Sequence, residues 1–180
     1  MLHLTKHHGL GNDFLVLTRP WGAAITDADP DLTRRLCDRR RGVGADGLLF
    51  LGIDPDDEVH LSMVLLNADG SRAEMSGNGI RCLAQAAFLA QHRSGPVTYR
   101  VSTDAGERSV AVRPSDRSAE VLAEVDMGPV VDLPEPLGWE AIGCDPMRPV
   151  AHLSLGNPHS VVGVEAVGEV DLATIGAQVP

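Results

Sequence analysis

The stretch from Asn67 to His92 constrains the fold most, because it predicts a long helix directly after Ser76-Gly77-Asn78-Gly79. Apolar residues recur there at the spacing of one helix face, namely Ile80, Leu83, Ala84, Ala87 and Phe88. We place His92 and Arg93 in the last turn and end the helix at Gly95-Pro96. The glycines at its N-terminus let a ligand approach unpaired backbone N–H groups, which predicts a seat for a carboxylate or phosphate. An ordinary cap before a packed helix is the alternative.

Short strand patterns separated by turn residues flank this helix on both sides. A shorter helix begins at Asp29-Pro30, which have the residue types of an N-cap and a first helical position. The predicted strands cover residues 2–6, 14–17, 48–51, 59–66, 97–102, 108–113 and 120–125. Short strands in meander order around one helix predict an α+β fold, with a mostly antiparallel sheet wrapped around the central helix.

A change in composition divides the chain after residue 127. Residues 128–149 are richer in Pro and Gly and show little periodicity, so we interpret them as a junction. It joins an N-terminal domain of residues 1–127 to residues 150–180, which we interpret as the beginning of a second domain. Leu10-Gly11-Asn12 recurs 145 residues later as Leu155-Gly156-Asn157, again followed by an apolar strand. The match is either chance or the trace of a duplication whose second copy is unfinished here.

The composition excludes several classes of protein. A net charge of −10 argues against nucleic-acid binding, which needs clustered Lys and Arg. Cys37, Cys82 and Cys144 are widely spaced and form no CxxC pair, which disfavours a disulfide framework and a zinc site and fits a reducing compartment. The N-terminus lacks the long apolar region of a signal peptide, and no run of apolar residues is long enough to span a membrane. We therefore predict a cytoplasmic protein without a membrane partner.

Several blocks of residues, in this order, together resemble the diaminopimelate epimerase family of bacterial lysine and cell-wall precursor synthesis. They are Lys6–Phe14, Arg41–Asp46, Asn67–Ser71, Gly77–Cys82 and Gly156–His159. The resemblance implies two pseudo-symmetric α+β halves, each a sheet wrapped around a central helix, with the site in the cleft between them. It also implies an isomerase that works without pyridoxal phosphate or any other cofactor and converts LL-diaminopimelate to meso-diaminopimelate.

The family's chemistry needs two acid/base groups, because a proton leaves one face of the α-carbon and another arrives on the opposite face. Its members use a pair of cysteines, one from each half, and helix N–H groups offset the charge that builds on the substrate carboxylate. Carried over by matched position, the resemblance implies the following roles. Substrate contacts are Asn12, Asn67 and Asn157, the carboxylate seat is Gly77 and Asn78, and His159 lines the site.

Other residues in these blocks are expected to have structural roles. We predict that Asp13 and Arg81 brace loops and helix, that Glu74 caps the helix, and that Cys82 is a packed core thiol. A small amino-acid substrate, diaminopimelate, is the expected partner. A homodimer, or a C-terminal half beyond these residues, would supply the rest of the site.

The chain departs from the family pattern at Ser76, where the family has its first catalytic cysteine immediately before Gly-Asn-Gly. A serine hydroxyl is a far weaker acid than a thiol and needs a neighbouring base. Family members also run well past 180 residues, so we expect the second half to be incomplete. The leading hypothesis is an epimerase with Ser76 at a catalytic position. The alternatives are a non-catalytic amino-acid-binding remnant and a related isomerase or racemase with another substrate.

Overall fold

The computed structural model describes residues 4–26, 29–117, 119–142 and 147–170. They form two compact units that divide between Met127 and Gly128. Within the described ranges, no helix is long and apolar enough to cross a membrane.

The first unit contains eight strands and two α-helices. In chain order they are β1 (Leu4–Gly9), β2 (Asn12–Arg19), α1 (Asp29–Cys37), β3 (Gly47–Ile53), β4 (His60–Asn67), β5 (Arg72–Ala73), α2 (Gly77–Ala90), β6 (Val97–Thr103), β7 (Gly106–Pro114) and β8 (Val121–Val125). The strands form one sheet in the order β1-β2-β3-β4-β6-β7-β8, and β5 pairs with one end of β4.

The sheet curls around α2, which packs against β1 to β4 on one side and β7 and β8 on the other. This confirms the predicted α+β fold with a sheet wrapped around a central helix. Most neighbouring strands are antiparallel, but β2 pairs with β3 in parallel, and so does β4 with β6. Each parallel pair is connected through a helix, α1 or α2, because parallel strands need a long crossover between them.

Alternating residues of the central strands face two different cores. Phe14 and Val16 of β2 contribute to the large core around α2, where Leu83 is fully buried. Leu15 and Leu17 point to the opposite face and pack with Cys37 at the end of α1. A strand that is buried on both faces has an unbroken apolar sequence, which explains the runs that predicted β2 and β3.

Helix α2 ends earlier than the sequence predicted, at Ala90 rather than at His92 and Arg93. His92 has a φ of 53°, in the left-handed region, and its N–H donates to Leu89 O at 3.0 Å. The N–H of Arg93 donates to Phe88 O at 3.1 Å. These two bonds form a Schellman motif that satisfies the last carbonyls of the helix. The two basic residues therefore lie just beyond the helix and not in its last turn.

The second unit contains three short strands, β9 (Val131–Asp132), β10 (Val150–Ser154) and β11 (Pro158–Val162), in an antiparallel sheet of order β11-β10-β9. It also contains 3-10 helices at Trp139–Ile142 and Val167–Glu169. The buried Trp139 contacts the ring of His152 edge-on at 4.7 Å. The segment 128–149, which we predicted as a junction, thus includes β9 and the first of these 3-10 helices; Cys144 lies outside the described residues.

A buried histidine links β1 to α2 in the first unit. The two ring nitrogens of His7 lie 2.9 Å from Gln85 Oε1 and 2.9 Å from Thr5 Oγ1. Gln85 Nε2 donates to Ala119 O at 2.7 Å, so its Oε1 is left to accept from His7 Nδ1–H. In neutral His7, Nε2 then accepts from the Thr5 hydroxyl. This arrangement connects the two edge regions of the curled sheet through α2.

We expect the free energy of unfolding to fall as the pH drops below 6.5. Burial lowers the pKa of His7 below 6.5, so the unfolded chain binds a proton before the folded chain does. The stabilisation is complete above pH 6.5 and is lost as the pH falls towards the lowered pKa of the folded state. Urea unfolding between pH 5 and 8 measures this dependence. It should weaken in His7→Gln and persist in His92→Asn, which removes an exposed histidine.

Candidate functional site

The connections at one end of the curled sheet converge on the first turn of α2. The turn between β1 and β2 reaches it through Asn12, whose Oδ1 accepts from Asn78 Nδ2 at 3.2 Å. The segment before β3 meets the end of β4, where the N–H of Ala68 donates to Asp46 O at 3.0 Å. Asn67, the last residue of β4, lies at the same end. The topology therefore gathers the polar residues of three separate sequence blocks.

Ser76 is the N-cap of α2, with extended backbone angles of φ −143° and ψ 120°. Its Oγ accepts from the N–H of Gly79 at 3.0 Å, and its carbonyl accepts from the N–H of Ile80 at 2.9 Å. Our prediction that Glu74 caps this helix was wrong. Residue 76 reaches the N3 position of the helix with its own side chain, and a residue two positions earlier does not.

The backbone N–H groups of Gly77 and Asn78 have no acceptor among the described residues. Both residues are half-buried, and Gly79 behind them is buried. The sulfur of Met127 would lie 3.6 Å from a Cβ at Gly77, in ordinary van der Waals contact. Two unpaired N–H groups at the positive end of a helix dipole can hold an anionic oxygen.

A chain of side-chain hydrogen bonds crosses the site from Asp46 to Arg81. Asn12 Nδ2 donates to Asp46 Oδ2 at 2.7 Å, and Asn78 Nδ2 donates to Asn12 Oδ1 at 3.2 Å. Arg81, one turn into α2, donates to Asn78 Oδ1. The side chains of Asn12 and Asn78, both predicted as site residues, therefore contact each other directly.

Asp13 braces the loops beside this chain of hydrogen bonds through contacts with Arg39 and Lys6. Arg39 donates to its two carboxylate oxygens at 2.6 and 3.1 Å, and Lys6 Nζ lies 3.0 Å from Oδ2. The hydrogen bonds from Arg39, followed by those from Lys6, hold the pKa of Asp13 well below its usual range. Asp13 is therefore ionised at neutral pH and serves as an anchor for two cations.

Asn67 is exposed and is held by its own turn. Its Nδ2 donates to Ser71 Oγ at 3.1 Å, and its N–H donates to Ser71 O at 2.8 Å. In the part of the chain that the structure describes, it makes no hydrogen bond to Asn12 or Asn78. It shares the end of the sheet with them, and its Oδ1 is available to a ligand.

Asn157 and His159 lie in the second unit, Asn157 in the turn between β10 and β11 and His159 at the second position of β11. His159 Nε2 is 3.0 Å from Asn157 Oδ1, so these two predicted site residues contact each other. Asn157 is half-buried and His159 is exposed.

Comparison with known proteins identifies the family. The family profile described as "Diaminopimelate epimerase" matches residues 4–133, which include every residue of the site in the first unit. The chain belongs to the diaminopimelate epimerase family. Diaminopimelate epimerases of Acaryochloris marina and Thermosynechococcus vestitus are 36% and 38% identical to it, each over 98% of this chain. The chain spans 65% and 64% of the length of these two relatives, just under two thirds.

Solved structures show the same fold at low sequence identity. A predicted epimerase from Pseudomonas aeruginosa superposes with a TM-score of 0.68 at 17% identity, over 96% of this chain and 63% of the other. A probable proline racemase from Agrobacterium radiobacter superposes with a TM-score of 0.64 at 14% identity, over 98% of this chain and 53% of the other. The fold of the diaminopimelate epimerase family is thus shared with proteins of distant sequence.

The cysteines of the first unit lie away from the tip of α2, in the cores. Cys37 and Cys82 are free thiols that are only 3% and 2% exposed. Burial raises the pKa of each thiol to about 11, which keeps both protonated at neutral pH. Cys82 is the packed core thiol that the sequence predicted. Within the described residues, no three His, Cys, Asp or Glu side chains are grouped so as to hold a metal ion.

We expect both buried thiols to resist modification in the folded protein. In a Cys144→Ser background, Ellman's reagent at pH 8 should react with the thiols of Cys37 and Cys82 only after denaturation with urea. The reason is that burial and a raised pKa together remove the reactive thiolate. Rapid reaction of a native thiol would contradict the packing described here. A Cys82→Ala variant in the same background assigns any residual reactivity.

The sequence analysis missed Asp46 and Arg39 as parts of the site. Residues 42–47 read as a glycine-rich connector, and most such connectors are only turns. The available signal was a carboxylate between small residues directly before the buried strand β3, together with three arginines after α1. Neither feature indicates its partners, because Asp46 and Asn12 are 34 positions apart.

Proposed function

We propose that this chain forms part of a cofactor-independent epimerase. The enzyme converts LL-diaminopimelate to meso-diaminopimelate for lysine and peptidoglycan precursor synthesis. The observation that carries the proposal is the pair of unpaired N–H groups of Gly77 and Asn78 at the tip of α2. Membership of the diaminopimelate epimerase family gives the pair a ligand, the α-carboxylate of the amino acid.

The reaction needs help with charge at this carboxylate. When a base removes the α-proton, the electron pair of the C–H bond spreads into the adjacent carboxylate, which gains negative charge. The N–H groups of Gly77 and Asn78 and the helix dipole stabilise that charge where it develops. Return of a proton from the opposite face then inverts the carbon. The chain's own backbone thus supplies the electrostatic part of the catalysis.

Ser76 occupies the position next to this carboxylate seat. Its Oγ accepts one hydrogen bond from Gly79 and keeps its own proton, so it can donate that proton to the α-carbon region or relay it. We propose that the second acid/base group belongs to the part of the relatives that these residues do not span, or comes from a second copy of the chain. Asn12, Asn67, Asn157 and His159 are proposed to contact the substrate.

Solvent deuterium exchange tests the proposal. The complete protein is incubated with LL-diaminopimelate in deuterium oxide, and the product is analysed by mass spectrometry and chiral chromatography. We expect deuterium at the α-carbon together with the appearance of the meso isomer. Binding of diaminopimelate without exchange would contradict epimerisation.

One observation favours a second function, a binding module for amino acids that has lost its chemistry. Ser76 Oγ is used as a helix cap, and no base in the described ranges is hydrogen-bonded to it. A serine without a base is a poor carbon acid/base catalyst. Calorimetric binding of diaminopimelate, with no exchange in deuterium oxide, would establish this function in place of the first.

A further inference from the structure

The side chains of Asn12 and Asn78 can each present two different faces to a ligand. A carboxamide carries an acceptor oxygen on one side and a donor NH₂ group on the other, and a flip of the group exchanges them. A site built from asparagines therefore needs something that fixes which face is offered. The structure contains such a device at each end of the hydrogen-bond chain.

The chain of hydrogen bonds ends in two side chains of opposite charge, Arg81 and Asp46. Arg81 is a donor only, so the atom of Asn78 that faces it must be Oδ1. The carboxylate of Asp46 can only accept hydrogen bonds, so the atom of Asn12 that faces it, at 2.7 Å, must be Nδ2. Both ends therefore impose the same direction on the bond between the two amides, from Asn78 Nδ2 to Asn12 Oδ1.

A flip of either amide would oppose like groups. Turning Asn78 would place its NH₂ against the guanidinium of Arg81, and turning Asn12 would place its oxygen against the carboxylate of Asp46. Each arrangement loses two hydrogen bonds and creates an unfavourable contact. The chain of hydrogen bonds thus runs in one direction. Each amide keeps one N–H that donates to no member of this hydrogen-bond chain.

Asp46 is itself held in place by the surrounding loops. Its Oδ2 also accepts from the N–H of Asp13 at 3.1 Å, and its Oδ1 accepts from Arg39 Nη2 at 2.7 Å. The guanidinium of Arg39 also binds the Asp13 carboxylate. These contacts fix the position of the carboxylate at which the chain ends.

We propose that Asp46 and Arg81 are positioning residues that lock the amides of Asn12 and Asn78 in one orientation. The amides then offer their remaining N–H groups to an acceptor, such as a carboxylate oxygen of the ligand. The identity of that ligand rests on the function proposed above, whereas the locked direction of the chain does not.

Nuclear magnetic resonance of the side-chain NH₂ groups tests the lock without any ligand. Asp46→Asn should shift the NH₂ signals of Asn78, which Asp46 does not contact, and Arg81→Gln should shift those of Asn12. The matched control is Asp57→Asn, which neutralises an aspartate in the loop before β4, at the opposite end of that strand from Asn67, where it pairs with Arg100 at 2.7 Å. It should shift neither. Shifts confined to the directly contacted amide would overturn the proposal.

A double-mutant cycle measured with diaminopimelate tests the consequence for binding. We expect Asp46→Asn and Arg81→Gln each to weaken binding about 10-fold, and the double variant to be about 10-fold weaker as well, because either change already unlocks the chain. Losses that multiply to about 100-fold, or unchanged affinity in both folded single variants, would overturn it. If the wild-type protein does not bind diaminopimelate, the proposed function fails, and the resonance experiment still decides whether the amides are locked.

Discussion

A Ser76→Cys variant of the complete protein should exchange the α-proton of diaminopimelate about 100-fold faster than the wild type, the lower end of the usual gain from general acid–base catalysis. A thiol has an ordinary pKa of about 8.5, far below that of a serine hydroxyl. Position 76 adjoins the N-terminus of α2, and the helix dipole there stabilises a thiolate further. Residue 76 would therefore have an acid and a base form near neutral pH. Exchange of deuterium from solvent, followed by mass spectrometry, measures the rate.

The same substitution has a predictable effect on stability. Ser76 Oγ caps the helix through the N–H of Gly79, and a weakly accepting sulfur replaces that bond poorly. We expect Ser76→Cys and Ser76→Ala each to lower the free energy of unfolding by about 1 kcal/mol. Only the cysteine variant should gain exchange activity, which makes alanine the matched control. Equal exchange rates in the two variants would show that residue 76 is outside the path of the proton.

Serine at position 76 therefore combines two demands that conflict. The cap needs an oxygen that accepts from Gly79, whereas proton transfer at carbon needs a group that ionises near neutrality. In this chain the first demand is met. The comparison of cysteine and alanine variants separates the two, because stability measures the cap and exchange measures the acid/base group.

The apolar patterns predicted the first unit well because they reflect burial directly. Ile80 and Leu83 recur on one face of α2, and that face is fully buried by the curled sheet. The parallel pairs, β2 with β3 and β4 with β6, could not be read in the same way. An unbroken run such as Leu48–Leu51 indicates burial on both faces but not the direction of the neighbouring strand.

Helix ends were harder to predict because they depend on single hydrogen bonds. His92 adopts a left-handed conformation that usually favours glycine, so α2 stops at Ala90 although basic residues suit a last turn. At the other end, the cap is Ser76 and not the carboxylate of Glu74. Local composition permits several caps, and packing of the whole segment selects one of them.

The sequence named candidate site residues but did not predict the contacts between them. The pattern around Asn12 and Asn78 marked both as site residues, and they are hydrogen-bonded although 66 positions apart. Asp46 lies in a matching block but was assigned no role, since its role depends on contacts with Asn12, Asp13 and Arg39 that only the folded chain creates. The direction of a hydrogen-bond chain is a property of the fold and cannot be read from the residue types alone.

A Gly42→Ala variant should lower the free energy of unfolding by about 3 kcal/mol or more. A Cβ at position 42 would lie 2.2 Å from Arg35 O and 2.6 Å from Leu36 O, both backbone atoms at the end of α1. The Leu36 carbonyl cannot move easily, because the N–H groups of Val43 and Gly44 donate to it at 2.9 and 3.0 Å. The connector and the helix end would have to separate. Urea denaturation of the two proteins measures the loss.

Gly95→Ala is the matched control, because a Cβ there meets no atom within 4 Å and the change should stay within about 0.5 kcal/mol. The consequence of Gly42→Ala should extend to the site. Asp46 lies in the connector, four residues after Gly42, and anchors Asn12, so displacement of the connector should also shift the NH₂ signals of Asn12 and Asn78. A Gly42→Ala protein with wild-type stability would mean that the connector does not lie against the end of α1. Loss of stability with unchanged amide signals would mean that Arg39 and Asp13 hold Asp46 in place even when Gly42 is displaced.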